Sequence, residues 1–101
     1  MVIMSTVSYL PENFKEAFKR FKNLPSPPSF VTMKGPYMKT ETGQGLTGYV
    51  FYEFDQAKMR EAYEWVATRM GKFVGVPGYT YSINVLFEAK DASFEPFGAN
   101  Q

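Results

Sequence analysis

The feature that most limits what this chain can fold into is a hydrophobic period that changes repeatedly along it, with proline or glycine near most of the changes. Residues 2–9 are rich in Val, Ile, Thr and Tyr and run into Pro11, which predicts a strand giving way to a helix. Pro11 stands where its missing N–H costs a helix nothing. Phe14, Ala17, Phe18 and Phe21 then recur at i, i+3, i+4 and i+7, with Lys15, Glu16, Lys19 and Lys22 on the other side. That spacing predicts an amphipathic helix over about 11–23, stopped by Pro25, Pro27 and Pro28. Residues 29–41 alternate only in part and are interrupted by Gly35-Pro36, the mark of an irregular edge strand. Leu46 to Phe54, LTGYVFYEF, is a strong strand, and Asp55 is placed to cap the helix that follows, over about 56–72. Met59, Ala62, Tyr63, Val66 and Met70 form the expected apolar stripe of that helix, with Phe73 just beyond. Gly75-Val76-Pro77-Gly78 breaks the chain, and Tyr79 to Glu88 reads as the last strand.

The order strand, helix, strand, strand, helix, strand predicts the α+β ferredoxin-like arrangement βαββαβ: a four-stranded antiparallel sheet with two helices on one face. One domain over 1–92 is expected, followed by a tail at 93–101 that contains Phe94, Pro96 and Phe97 but little periodicity. The 101 residues are 45% hydrophobic, with 10 Phe and 7 Tyr, which is ample for a single core. A chain of this length buries only roughly 60–70% of its unfolded surface, so a second subunit would have surface to cover. Eleven basic residues against 10 acidic ones give a formal charge of +1, a balance that points away from nucleic acid and anionic membrane as partners.

Cysteine and histidine are both absent. Disulfides, thiolate chemistry and Cys/His zinc sites are thereby excluded, as are the commonest general base and the usual axial ligand to haem. No cofactor and no metal are expected. The opening MVIMSTVSYL lacks a basic segment and is broken by Ser5, Thr6 and Ser8, so it does not read as a signal peptide. No stretch approaches the roughly 20 apolar residues of a membrane span. A cytoplasmic location is expected.

The stretch TGQGLTGYV fits G-x-G-x-x-G through Gly43, Gly45 and Gly48. A dinucleotide fingerprint needs a strand before the glycines and a helix after them, whereas here they lead into a strand. A kinase glycine loop needs downstream catalytic and metal-binding segments that the chain lacks. The glycines therefore predict a hairpin turn with positive φ, and Gly48 a bulge or a close approach.

In the third strand Leu46, Gly48, Val50, Tyr52 and Phe54 share one face, and Thr47, Tyr49, Phe51 and Glu53 the other. In the fourth, Tyr79, Tyr81, Ile83, Val85 and Phe87 oppose Thr80, Ser82, Asn84, Leu86 and Glu88. The more apolar faces should meet the helices. The second face still carries Tyr49, Phe51 and Leu86, more apolar than a solvated sheet requires, and so is expected to pair with another subunit or to lie under the tail. A homodimer through this face is the preferred expectation.

The element order, the third strand GLTGYVFYEFD, the helix segment AYEW and the last strand running into EAKDA resemble the dimeric α+β barrel superfamily, over roughly residues 1–92. The likeness is to small, functionally unassigned prokaryotic members. It implies two ferredoxin-like sheets packed face to face, with pockets between sheet and helices or near the barrel mouth. Without histidine the haem-binding branches do not apply, and the helix-turn-helix of the regulator branch is missing. A cofactor-independent monooxygenase acting on an aromatic or quinol-like substrate, an isomerase, or a binding protein without chemistry remain.

In the monooxygenase branch a tryptophan, an asparagine and an arginine help to position an aromatic substrate, which the resemblance carries onto Trp65, Asn84 and Arg69. Trp65 and Arg69 share a helix surface, but Asn84 projects from the opposite strand face to Ile83 and Val85. The plainer expectation is that Trp65 packs against a loop, the tail or a partner, and that Arg69 is solvated or pairs with Glu61 or Glu64. Tyr49, Tyr52, Tyr63 and Tyr81 bring hydroxyls into apolar surroundings, suited to packing or to orienting a phenolic ligand. With Phe51 they complete the candidate ligand-binding set. Glu53 and Glu88 are placed on the second sheet face, where a close buried pair would supply a general base and opposite rims would leave them to solvent or a lysine. Residues 34–40 read as an exposed hairpin arm or a flap over a pocket. The leading expectation is a pocket for a small apolar or aromatic molecule, with catalysis and a purely structural role as alternatives.

Overall fold

The computed structural model describes residues 1–43 and 45–88, so the tail expected at 93–101 lies outside the described residues. The elements are β1 (Val2–Tyr9), α1 (Phe14–Lys22), β2 (Thr32–Glu41), β3 (Gly45–Glu53), α2 (Met59–Gly71) and β4 (Thr80–Leu86), with a single 3₁₀ turn leading into each helix. The sheet is antiparallel with strand order β2-β3-β1-β4, and α1 and α2 cover one face, which is the ferredoxin-like arrangement.

β1 lies at the centre, running from Val2 opposite Glu53 to Tyr9 opposite Leu46 on one side, and from Val2 opposite Leu86 to Ser8 opposite Thr80 on the other. The register places Ile3, Ser5, Val7 and Tyr9 on the same face as Tyr52, Val50 and Gly48, and that face meets the helices. β2 is an edge strand whose register shifts between Lys34 and Tyr37, where the Gly35–Pro36 peptide is cis. An edge tolerates the missing proline N–H. The bulge therefore falls on β2 and not at Gly48. Gly48 is instead a close approach, since a Cβ there would lie 2.8 Å from the Met38 sulfur and 3.3 Å from Val7 Cγ2.

The hairpin between β2 and β3 forms where the glycines predict it. Gly43 and Gly45 have φ of 80° and 85°, a region that favours glycine. Asp55 caps the second helical segment by accepting a hydrogen bond from the Ala57 N–H at 3.0 Å. Ile3, Val50, Tyr52, Ala62, Val66 and Met70 centre the core.

The two helices sit differently from their sequence stripes. On α2 the buried residues are Ala62, Val66, Arg69 and Met70, with Phe73 just beyond, while Tyr63 is 40% exposed. The buried line 62, 66, 69, 73 follows the helical period about one position round from the stripe centred on Met59 and Tyr63. On α1 only Ala17 is buried, and Phe14 and Phe18 are 42% and 48% exposed. Its polar side chains tether it to the loop after α2: Asn13 donates to the Pro77 carbonyl at 2.7 Å, and Arg20 to those of Val74 at 2.6 Å and Lys72 at 3.3 Å. α1 is thus held by its sides while its apolar stripe stands over open space. Among the described residues no helix is long and apolar enough to cross a membrane.

Candidate ligand cavity

That open space is a cavity of about 150 Å³ between the helix face of the sheet and α1. Its floor is Ser5, Val7, Val50 and Tyr52, on strands whose alternation directs these side chains toward the helices. Ala17, Phe18 and Phe21 of α1 form the roof, and Arg69, Met70 and Phe73 close the inner end. Tyr9, Phe14, Leu24, Pro36, Met38 and Gly48 complete the lining, and the rings of Phe14 and Phe18 stack with centroids 5.7 Å apart. The lining is almost wholly apolar. A cavity of this size accepts a benzene-sized ring.

Few polar groups reach it. Ser5 Oγ lies 3.5 Å from the Tyr52 hydroxyl, at the limit of a hydrogen bond. Tyr9 lines it too, and the remaining polar group is the Arg69 guanidinium, of a residue only 5% exposed. It lies between the rings of Trp65 and Phe21, 5.4 Å and 5.5 Å from their centroids, and donates one long bond of 3.4 Å to the Pro25 carbonyl. The expected pairing with Glu61 or Glu64 does not form. Glu61 lies 3.8 Å from Lys58 and Glu64 3.0 Å from Arg60, both on the solvent side of α2. Nor is Arg69 solvated: it follows Trp65 by four residues, on the turn that faces the sheet.

The candidate residues fall into separate places. Tyr52 and Arg69 line the cavity, and Trp65 backs it, edge-on to Tyr52 with centroids 5.7 Å apart. Tyr81 is on the same sheet face but at the β4 edge, half-exposed and stacked on Tyr79. Tyr63 stands on the outer side of α2. Tyr49, Phe51, Asn84 and Glu53 are on the opposite sheet face: Asn84 contacts Ser82 Oγ at 3.4 Å, and Glu53 pairs with Lys34 at 3.1 Å. Trp65, Asn84 and Glu53 therefore do not converge within one subunit. Sequence reasoning missed Ala17, Phe18, Phe21 and Phe73 as cavity residues, although the α1 stripe had named the first three as apolar. Among the described residues no three acidic side chains converge as metal ligands would.

The open face carries Val2, Met4, Phe51 and Leu86, with Tyr37 edge-on to Phe51 at 6.1 Å, and no described element covers it.

Behind the cavity, Phe73, Tyr79 and Tyr81 stack in series, and the Tyr79 hydroxyl donates to the Met70 carbonyl at 3.2 Å. Burial, and then the negative charge that Tyr81 and Tyr52 would carry at high pH, push the Tyr79 phenol well above its ordinary value of 10.0. The folded chain thus holds this proton more tightly than the unfolded chain. Its contribution to stability is complete below about pH 10 and is lost as pH rises beyond that. Urea midpoints measured from about pH 8 to pH 11 should fall more steeply for the wild type than for Tyr79→Phe; parallel curves would show that this phenol is not the group responsible.

No protein-family model matches this sequence, and no curated protein matches it at a significant level.

Proposed function

We propose that this chain binds a small apolar or aromatic molecule in the cavity under α1, as one subunit of a cytoplasmic homodimer of the dimeric α+β barrel kind. The observation that carries the reading is the cavity itself: an almost wholly apolar space beneath α1, which is held above it by Asn13 and Arg20 with two phenylalanines left half-exposed. Small-molecule sites are typically concave, mostly apolar and supplied with a few placed polar groups. The dimer is supported by the apolar residues of the other sheet face, a face that no described element covers and whose use leaves the cavity side free. The enzymatic alternative would need Trp65, Asn84 and Glu53 to act on one substrate from opposite faces of the sheet.

The test is an amide NMR titration with toluene as a neutral aromatic probe, on the wild type and on Ala17→Leu, whose added methylenes occupy the cavity. Toluene should move the amide signals of Val7, Val50 and Phe73 in the wild type, and leave those of Ala17→Leu unchanged, at a melting temperature no lower than the wild type's. Signals unmoved by toluene and by other single-ring probes alike would defeat the binding reading. A sedimentation mass of one 11.5 kDa chain would defeat the dimer.

A further inference from the structure

We infer that the ligand of this cavity is an anion, a small monocarboxylate with an apolar body, and that Arg69 receives its carboxylate. This rests on the binding reading above and adds the ligand's charge to it.

The argument begins with what a buried guanidinium requires. Arginine stays charged at any pH a protein experiences, and it presents five N–H donors in a planar fork. Removing such a charge from water costs several kcal/mol unless acceptors and a counter-charge replace the water. Arg69 is 5% exposed, and among the described residues its hydrogen bond is the 3.4 Å contact to the Pro25 carbonyl. The faces of Trp65 and Phe21 attract its positive charge but accept no in-plane hydrogen bonds. Among the described residues, every carboxylate seen in an ion pair is engaged elsewhere: Glu16 with Arg20, Glu53 with Lys34, Glu61 with Lys58 and Glu64 with Arg60. No carboxylate of the described residues is seen in an ion pair with Arg69.

Geometry supplies the rest. Arg69 lines the cavity. The Phe21 and Trp65 rings beside its Cζ and the Pro25 carbonyl hold the guanidinium in place before a ligand arrives. Ser5, Tyr52 and Tyr9 line the same cavity and bring hydroxyl groups to it. The rest of the described lining is hydrocarbon, apart from the thioethers of Met38 and Met70. A cavity of about 150 Å³ with a cation at one end and apolar walls matches an acid whose body is about one ring in size. A single-ring aryl carboxylate has these dimensions, whereas a dianion would bring a second charge that the described lining does not neutralise.

Benzoate and benzyl alcohol share a ring and differ mainly in charge, so they separate the two readings. Benzoate should bind the wild type at least about tenfold more tightly than benzyl alcohol, as a charge-assisted pair in a dry site predicts. It should move the Arg69 Nε–H NMR signal, and benzyl alcohol should not. Arg69→Met should abolish the preference while retaining benzyl alcohol, and Arg69→Lys should keep part of it. If Arg69→Met does not fold, the wild-type ratio and the Nε–H signal still decide. Equal affinities, or a preference that survives in Arg69→Met, would overturn the carboxylate inference and leave the cavity reading standing. Failure of benzoate, benzyl alcohol and toluene alike would overturn both.

Discussion

Replacing Tyr52 by alanine is expected to remove about 3–5 kcal/mol from the free energy of unfolding, the range for deleting a buried aromatic ring. Tyr52 is 0% exposed, on the strand that pairs with both β1 and β2, opposite Ile3 and Met33. Trp65 packs edge-on against it. Its ring also walls an existing void, so its removal enlarges a space that the neighbours do not fill. A domain of this size has a net stability of only about 5–15 kcal/mol, which puts the variant near the limit of folding. Tyr52→Phe is the control. It keeps the ring and gives up only the 3.5 Å contact to Ser5, so it should cost less than about 1 kcal/mol. Urea unfolding measures both, and an alanine variant as stable as the phenylalanine one would mean that the ring is not packed in the core.

The second large effect lies in the hairpin. Gly43→Ala and Gly45→Ala carry the same backbone burden, because both residues have positive φ, and each should lose about 1–2 kcal/mol from that alone. They differ in their surroundings. Nothing lies within 4 Å of a Cβ added at Gly43, whereas one at Gly45 would lie 2.7 Å from the Tyr9 carbonyl oxygen. Backbone cannot swing aside as a side chain can, so β3 would have to shift where Leu46 faces Tyr9. A further ~1–3 kcal/mol is expected at Gly45, the usual range for overpacking. Equal losses in paired urea titrations would show that the approach of β3 to Tyr9 is looser than described.

The fold was legible because period and punctuation agree: Pro11, Pro25, Gly43, Asp55 and Gly78 each fall at or near an element boundary. The phase of α2 was less so. Tyr63 is apolar enough to join a stripe, and Arg69 is of a type that usually stays in water, so the reading turned the helix toward Tyr63. The line Ala62, Val66, Arg69, Phe73 was present in the sequence, and a charged residue on it was the available signal of a buried cation. The cavity was not legible at all. A stripe such as Phe14, Ala17, Phe18 and Phe21 tells which side of a helix faces inward, but not how closely that side approaches the sheet. That distance depends on Asn13 and Arg20 reaching carbonyls roughly fifty or more residues away in the chain.

The space under α1 also bears on how this sequence can change over time. Vacant volume in a closed core forgoes ~24 cal/mol per Å³, so about 150 Å³ sets an upper bound of roughly 3–4 kcal/mol on the stability to be gained by filling this partly open space. Random substitution offers many larger side chains at Ala17, Val7 or Val50 that would recover part of it. A lineage selected for heat resistance alone would fill the space, whereas one that must keep a guest molecule would retain small residues there and gain its stability from the hairpin, the caps and the surface.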